Sequence, residues 1–253
     1  MMSCTAPSRT KMNLQPEVII FDVDGVLVDV RGSFHSTVLQ TVRFFTGKRV
    51  TRAELYRWKD RSGFNDDWKL STAWVQSLGG QQDYHQVKAK FLDLYWGQNG
   101  EDGNVTQEKW LLPRASLRRL AKRAELALFT GRVRAETDYT LDRLKVREFF
   151  RQVVTVEDVA KPKPDPEGLL KILGGRNPAR AVYVGDNVDD ALAAASARVP
   201  FVGILPQSAG ARPKRRALLT KHGALAVLSS VKQLERRLSR LSGVCGTSVL
   251  PIE

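Results

Sequence analysis

Residues 17–28, EVIIFDVDGVLV, decide the fold that we expect for this chain. The run from Val18 to Phe21 is apolar without interruption, which is typical of a strand buried on both faces of a parallel sheet. It ends at Asp22, and a second carboxylate, Asp24, follows two residues later. Because side chains alternate along an extended chain, both carboxylates are predicted to project from the same strand end. The glycine that follows permits a sharp backbone turn there.

Four further apolar runs look like the first and have helical patterns between them. They are Glu125–Phe129, Gln152–Val156, Ala181–Val184 and Phe201–Leu205. This alternation predicts an α/β fold with a parallel sheet and crossover helices. One helix is predicted over Pro166–Leu173, because Asp165-Pro166 is a start signal and Gly174-Gly175 is a stop signal.

Residues 31–110 have a different pattern, with apolar residues at helical spacing and no strand-like run. A capping box, Thr51-x-x-Glu54, marks the start of one helix. All five tryptophans lie in or beside this segment, where large aromatic side chains mainly supply buried area. We therefore predict an all-helical cap at 31–110, with Gly97–Asn104 as its return hinge. The core is expected at 17–30 and 111–240, with a flexible leader at 1–16 and a flexible tail at 241–253.

The net charge of +13 is concentrated near the C-terminus, since residues 205–253 hold nine Lys or Arg and two Glu. Few aromatic residues are interleaved with these charges, so the pattern favours a solvated helix face and a loop over a nucleic-acid site. No run reaches the roughly 18 apolar residues needed to cross a bilayer. Cys4 and Cys245 indicate neither a disulfide framework nor a metal site. A cytoplasmic protein is expected.

Polar residues follow three of the predicted strands. Residues 185–190, GDNVDD, come directly after one strand, and Thr130-Gly131 comes after another. Because ligands bind beyond the carboxyl ends of parallel strands, these loops can meet the Asp22 loop over one pocket. Carboxylate oxygens suit magnesium. The Thr130 hydroxyl and nearby N–H groups suit phosphate oxygens, and Lys161 adds a positive charge for phosphate or for a carboxylate nucleophile.

The ordered set DVDGVLVD, FTGR, EDVAKPKPDP and GDNVDD resembles the haloacid dehalogenase superfamily of hydrolases, in the branch with a helical cap between the first and second motifs. The resemblance spans residues 17–238. It implies a Rossmann-like core and a magnesium-dependent phosphatase that hydrolyses a small phosphorylated metabolite through an aspartyl phosphate. A halide leaves without a proton, and the family's dehalogenases lack the acid at the position of Asp24, so dehalogenation is disfavoured.

The resemblance also implies roles for individual residues, with Asp22 as nucleophile and Asp24 as general acid and base. The implied sets are Asp22, Asp24, Thr130 and Lys161 for catalysis; Asp22, the Asp24 carbonyl, Asp186 and Asp190 for Mg²⁺; and Thr130, Gly131 and Lys161 for phosphate. Lys163 is near enough in sequence to compete with Lys161, although Lys161 aligns better. Asp189, its neighbour, could share the role implied for Asp190.

Several alternatives stay open at this stage. A phosphomutase would use the same residues, and a non-catalytic or nucleic-acid-binding protein would use the basic C-terminal region. For the substrate's leaving group we predict contacts from Lys59, Arg61 and Asn65 in the most polar cap loop. The competing interpretation of that loop is a surface turn whose basic residues pair with Asp66 or Asp67. Neither the substrate nor the oligomeric state follows from the sequence.

Overall fold

The computed structural model describes residues 15–61, 63–64, 66–98, 101–205 and 212–242. The predicted leader up to residue 14, the tail beyond residue 242, both cysteines and Asn65 lie outside the described residues. Within those ranges, no helix is both long enough and apolar enough to cross a bilayer.

A parallel sheet of six strands forms the core, in the order β5-β4-β1-β6-β7-β8. Its strands are β1 (Val18–Phe21), β4 (Glu125–Phe129), β5 (Gln152–Val154), β6 (Ala181–Gly185), β7 (Phe201–Ile204) and β8 (Ala224–Leu228). Strand β1 lies in the middle, paired with β4 on one side and β6 on the other, and all four of its residues are buried. This arrangement confirms the predicted α/β, Rossmann-like class. The edge strand β8 was not predicted, because its short run lies in the basic region that we interpreted as surface.

Two apolar clusters fill the space on the two faces of the sheet. The helices of the core are α5 (Arg114–Ala121), α6 (Arg134–Arg143), α7 (Glu167–Leu173), α8 (Val188–Ser196), α9 (Arg212–Lys221) and α10 (Leu234–Ser242). Helix α7 ends at Gly174 in the left-handed conformation, as its stop signal predicted. Such crossover helices return the chain to the same edge of the sheet, so the strand ends that carry polar residues lie together.

Four helices form a separate packing unit between β1 and β4. They are α1 (Phe34–Thr46), α2 (Arg52–Lys59), α3 (Asp67–Ser77) and α4 (Tyr84–Trp96). The predicted capping box at Thr51 is present, with the Thr51 side chain accepting from the Glu54 N–H and the Glu54 carboxylate accepting in return. Trp74 is buried among these helices, as expected for an aromatic residue that supplies core area.

The helical unit is joined to the core by two short strands, β2 (Val28–Asp29) and β3 (Lys109–Trp110), which pair antiparallel. The sequence predicts the return hinge at Gly97–Asn104. In the structure a 3₁₀ turn at Asn104–Gln107 follows, and β3 then leads back to the core. The hinge strands thus lie directly beside the Asp24 loop, because Asp24 also bridges to Val28. The division into core and cap at 31 and 110 stays a prediction.

Candidate active site

A cavity of about 410 Å³ opens at the carboxyl ends of β1, β4 and β6 and is covered by residues of the helical unit. The core contributes Asp22, Asp24, Thr130, Gly131 and Asp186 to its lining. The structure therefore brings together the predicted residues from three separate loops, which is the convergence expected for a parallel sheet.

Gly25 lets the first of these loops lie against the loop after β6. Its φ of +74° is in the left-handed region, and a Cβ built on it would lie 2.1 Å from Oδ2 of Asp186. No side chain fits in that gap. The oxygens of the two loops are consequently close enough to serve one ligand.

Lys163 lies at the centre of the acidic cluster. Its Nζ donates to Oδ1 of Asp22 at 2.9 Å and to Oδ1 of Asp190 at 2.8 Å, and it is 3.1 Å from the Tyr183 hydroxyl. Burial opposes the charge on Lys163, but the carboxylates of Asp190 and Asp22 more than offset this and raise its pKa. Lys163 is therefore a permanent cation that pairs with the predicted nucleophile.

The prediction that Lys161 lies in the site is wrong. Lys161 is exposed and lies outside the cavity, and its backbone N–H donates to the Glu167 carboxylate. In the Lys-Pro-Lys-Pro run, only Lys163 turns inward against Phe129 and Tyr183. The buried lysine of the run is Lys163, two residues after the predicted one.

Asp22 and Asp186 are the carboxylates best placed to hold a metal ion. Asp22, Asp186 and Asp190 offer oxygens that all lie within 4.8 Å of one another. Asp190, however, already accepts from Lys163 and Tyr183 at Oδ1 and from the N–H groups of Asp186 and Asn187 at Oδ2. Its two oxygens are thus occupied in shaping the loop. The hard oxygen donors of the cluster fit Mg²⁺.

The pKa values of the two candidate ligands reflect their crowding. Burial raises the pKa of Asp22 well above its usual range, Lys163 partly opposes the rise, and Asp190 adds to it. Burial likewise raises the pKa of Asp186 to about 7, with Arg215 opposing. A divalent cation between these carboxylates would favour their ionised forms, which is the usual remedy for buried like charges.

Thr130 and Gly131 occupy the loop after β4, beside the acidic cluster. Thr130 is buried, its N–H donates to the Val154 carbonyl, and its hydroxyl accepts from the Arg132 N–H at 3.2 Å. The Arg132 side chain then reaches across to the Asp24 carboxylate. Sequence analysis gave Arg132 no role, although it belongs to the FTGR motif.

The predicted cap contacts Lys59 and Arg61 both line the cavity. Lys59 is 2.7 Å from Oδ1 of Asp67, so the ion pair in the competing interpretation exists, but it lines the cavity and is largely buried. Arg61 lies over the Trp58 ring at 4.8 Å. Their role in substrate binding stays a prediction.

Helix α9 supplies a cavity residue that sequence analysis missed. Arg215 is buried, pairs with Oδ1 of Asp60 at 3.1 Å, and lies 5.3 Å from the centre of the Tyr56 ring. It is one of the nine basic residues that we assigned to a solvated surface. Only the packing of α9 against the helical unit distinguishes it from its neighbours.

Two more buried groups in the cavity wall have hydrogen-bonding atoms without a partner among the described residues, namely Nδ1 of His35 and Oε1 of Glu136. Burial, with help from the cations Lys59 and Arg52, lowers the pKa of His35 to about 3, so His35 is neutral at ordinary pH. Burial raises the pKa of Glu136 to about 8, and Arg132 opposes that rise. Neither residue has a sequence pattern that would have revealed it.

The raised pKa of Glu136 predicts a specific dependence of stability on pH. Between about pH 5 and pH 8 the native state keeps this proton while the unfolded chain has lost it, so the contribution of Glu136 to stability falls as pH rises. Glu136→Gln should therefore raise the free energy of unfolding at pH 8, relative to its effect at pH 5, by at least about 1 kcal/mol. Urea unfolding at both pH values measures this, with the exposed Glu101→Gln as control. An equal effect at both pH values would contradict it.

Comparisons with known proteins show which family this chain belongs to. The haloacid dehalogenase-like hydrolase family matches residues 19–204. An imidazoleglycerol-phosphate dehydratase of Phytophthora nicotianae is 32% identical over 201 residues, which are 76% of this chain and 44% of that protein, so the chain spans less than half of that relative's length. A phosphoglycolate phosphatase of Pseudomonas putida is 28% identical over 207 residues, with 75% of this chain and 69% of that protein covered.

Among solved structures, a putative beta-phosphoglucomutase from Thermotoga maritima has the same fold, with a TM-score of 0.66 at 22% identity. The likeness covers 88% of this chain and 99% of that one. With the family match extending over most of the sequence, these findings establish that the chain belongs to the haloacid dehalogenase-like hydrolase family.

Proposed function

We propose that this protein is a magnesium-dependent phosphatase that hydrolyses a small phosphomonoester through an aspartyl phosphate on Asp22. The observation that carries the proposal is the buried contact between Lys163 Nζ and the carboxylates of Asp22 and Asp190. A lysine in that position favours an ionised Asp22, which is the form that can attack phosphorus. The second acid, Asp24, lies at the same cavity and is only partly buried.

The reaction follows from these positions in two steps. In the first, Asp22 attacks phosphorus in line, the bond to the leaving oxygen breaks, and Asp24 gives that alkoxide a proton. In the second, Asp24 takes a proton from water, the water oxygen attacks phosphorus, and inorganic phosphate leaves Asp22. Thr130 and Gly131, which line the cavity, would bind the phosphoryl oxygens.

Magnesium fits the cluster, and Asp22, Asp186 and the backbone carbonyl of Asp24 would hold it. Bound there, it supplies positive charge to the phosphoryl oxygens. Asp190 orients the loop that carries Asp186, because its Oδ2 accepts from two backbone N–H groups of that loop. The residues of the cluster thus divide between binding the ion and fixing the shape of its site.

The first test of this proposal is hydrolysis of p-nitrophenyl phosphate with and without magnesium. Turnover should require the ion, and Asp22→Asn should abolish it, since the amide keeps the shape of the side chain without its nucleophilic charge. A phosphorylated protein trapped by acid quench should be seen with the parent and be absent from the variant. Turnover by Asp22→Asn within tenfold of the parent would rule out the covalent route.

The two lysines of the Lys-Pro-Lys-Pro run provide a matched pair. Lys163→Met should lower kcat/KM by about 10²–10³, because it removes the only charge that pairs with Asp22 among the described residues. Lys161→Met should stay within about twofold of the parent, because that side chain is exposed. Thermal unfolding of both variants checks that they are folded. A larger loss in Lys161→Met would reverse the assignment.

Substrate identity is tested with a panel of phosphate esters. The names of the relatives point to phosphoglycolate and to imidazoleglycerol phosphate, and both belong in the panel beside sugar phosphates. Measuring free phosphate and phosphorylated products together distinguishes a phosphatase from a phosphomutase. A mutase would transfer the phosphoryl group to a second hydroxyl and release little free phosphate.

Arg61 offers a test of the cap's role once the panel has given a preferred substrate. Arg61→Ala should weaken transition-state binding of that substrate by about 1–3 kcal/mol, the scale of a charged hydrogen bond, and kcat/KM should fall accordingly. The kcat/KM for p-nitrophenyl phosphate should stay nearly unchanged. Arg57→Ala is the control, since Arg57 lies on α2 four residues before Arg61, pairs with Glu54 and does not line the cavity. If both substrates respond alike, Arg61 does not select the leaving group.

A further inference from the structure

The Arg132 side chain is enclosed between two carboxylates. Its Nε and Nη2 donate to Oδ1 of Asp24 at 2.8 and 2.5 Å, and Nη2 also donates to Oε1 of Glu108 at 2.8 Å. The side chain is only 1% exposed. A guanidinium is charged at every pH of interest, so at this depth it requires both acids. Arg132 therefore connects the Asp24 loop to Glu108 by charge as well as by geometry.

Glu108 is itself fixed by several contacts. Thr140 donates to its Oε2 at 2.7 Å, the Tyr95 hydroxyl donates to its Oε1 at 3.0 Å, and Arg143 donates to its backbone carbonyl at 3.1 Å. The Glu108 side chain is fully buried. With every contact satisfied, Glu108 has little freedom to move away from Arg132.

These residues belong to three parts of the fold. Glu108 immediately precedes the hinge strand β3, and Tyr95 lies on α4 of the helical unit. Arg132 and Asp24 belong to the strand-end loops of the core. The network thus runs from a helix that covers the cavity, through the hinge, to the carboxylate that exchanges protons in the proposed reaction.

We propose that Arg132 is a positioning residue for Asp24, and that Glu108 and Tyr95 make this positioning depend on the seating of the helical unit on the core. The inference rests on the proposed function, in which Asp24 gives and then takes a proton. Both Arg132 donors engage Oδ1 of Asp24, and no donor to its Oδ2 is found within the described residues. Oδ2 is therefore the oxygen that carries the proton to the alkoxide and removes one from water.

The key variant is Arg132→Lys, which keeps the charge but cannot bridge two carboxylates with one fork. p-Nitrophenolate leaves without a proton, whereas the alkoxide of glycerol phosphate needs one. We expect kcat/KM for glycerol phosphate to fall by about 10²-fold, and the first turnover of p-nitrophenyl phosphate to stay within about threefold. Because water activation also needs Asp24, a stoichiometric burst of p-nitrophenolate should precede a slow steady state.

Tyr95→Phe covers the case in which Arg132→Lys does not fold, because it deletes one hydroxyl and keeps the ring. It should lower kcat/KM for glycerol phosphate by about three- to tenfold and preserve the first turnover of p-nitrophenyl phosphate. Arg143→Lys is the matched control, since Arg143 contacts the same hinge through the Glu108 carbonyl but does not reach Asp24. The ratio of its rate on glycerol phosphate to its rate on p-nitrophenyl phosphate should equal that of the parent.

Parallel losses on both substrates without a burst would reduce Arg132 to a structural ion pair and overturn the proposal. Equal behaviour of Tyr95→Phe and Arg143→Lys would overturn the link to the helical unit. A parent that releases no phosphate would refute the proposed function instead. In that case the free energies of unfolding of Asp24→Asn, Glu108→Gln and the double variant test whether Arg132 couples the two acids. Additive changes would show that it does not.

Discussion

The ion pairs of Lys163 are the interaction on which the rest of the site depends. Buried carboxylates repel one another and lose hydration, so a cluster of them persists only with compensating charge. Lys163 provides that charge to Asp22 and Asp190 at once. Asp190 in turn accepts from the N–H groups of the loop after β6, which sets the position of Asp186. One buried cation thus pairs both with the proposed nucleophile and with the residue that shapes the candidate metal site.

The parallel sheet makes this arrangement possible, because it brings loops that are far apart in sequence to one edge. Asp22 and Lys163 are 141 residues apart, and they meet because β1 lies between β4 and β6. The same edge leaves room for an inserted unit, which enters through β2 and leaves through β3. The hinge therefore begins four residues after Asp24, and this proximity connects the covering helices to the carboxylate that we propose transfers protons.

The sequence predicted the parts of this protein that depend on local pattern. The central strands, the capping box at Thr51 and the loops around Asp22 and Asp186 could be read from alternation, turn residues and charge. It could not separate Lys161 from Lys163, because both are lysines before proline and only the path of the loop buries one of them. Arg215 was missed for a similar reason, since a basic residue on a basic helix becomes a cavity residue only through tertiary packing.

Two ion pairs with little exposure connect the core to the helical unit and to its hinge. Arg215 of α9 pairs with Asp60 just after α2, and Arg132 pairs with Glu108 just before β3. Moving the helical unit away from the core would separate such charges, and breaking a buried pair costs about 3–5 kcal/mol when one partner stays unpaired. The helical unit can therefore move away from the core at low cost only if water hydrates both charges of each pair as they separate. The cations of both pairs, Arg215 and Arg132, line the cavity, so a movement of the helical unit would also rearrange the charges of the proposed site.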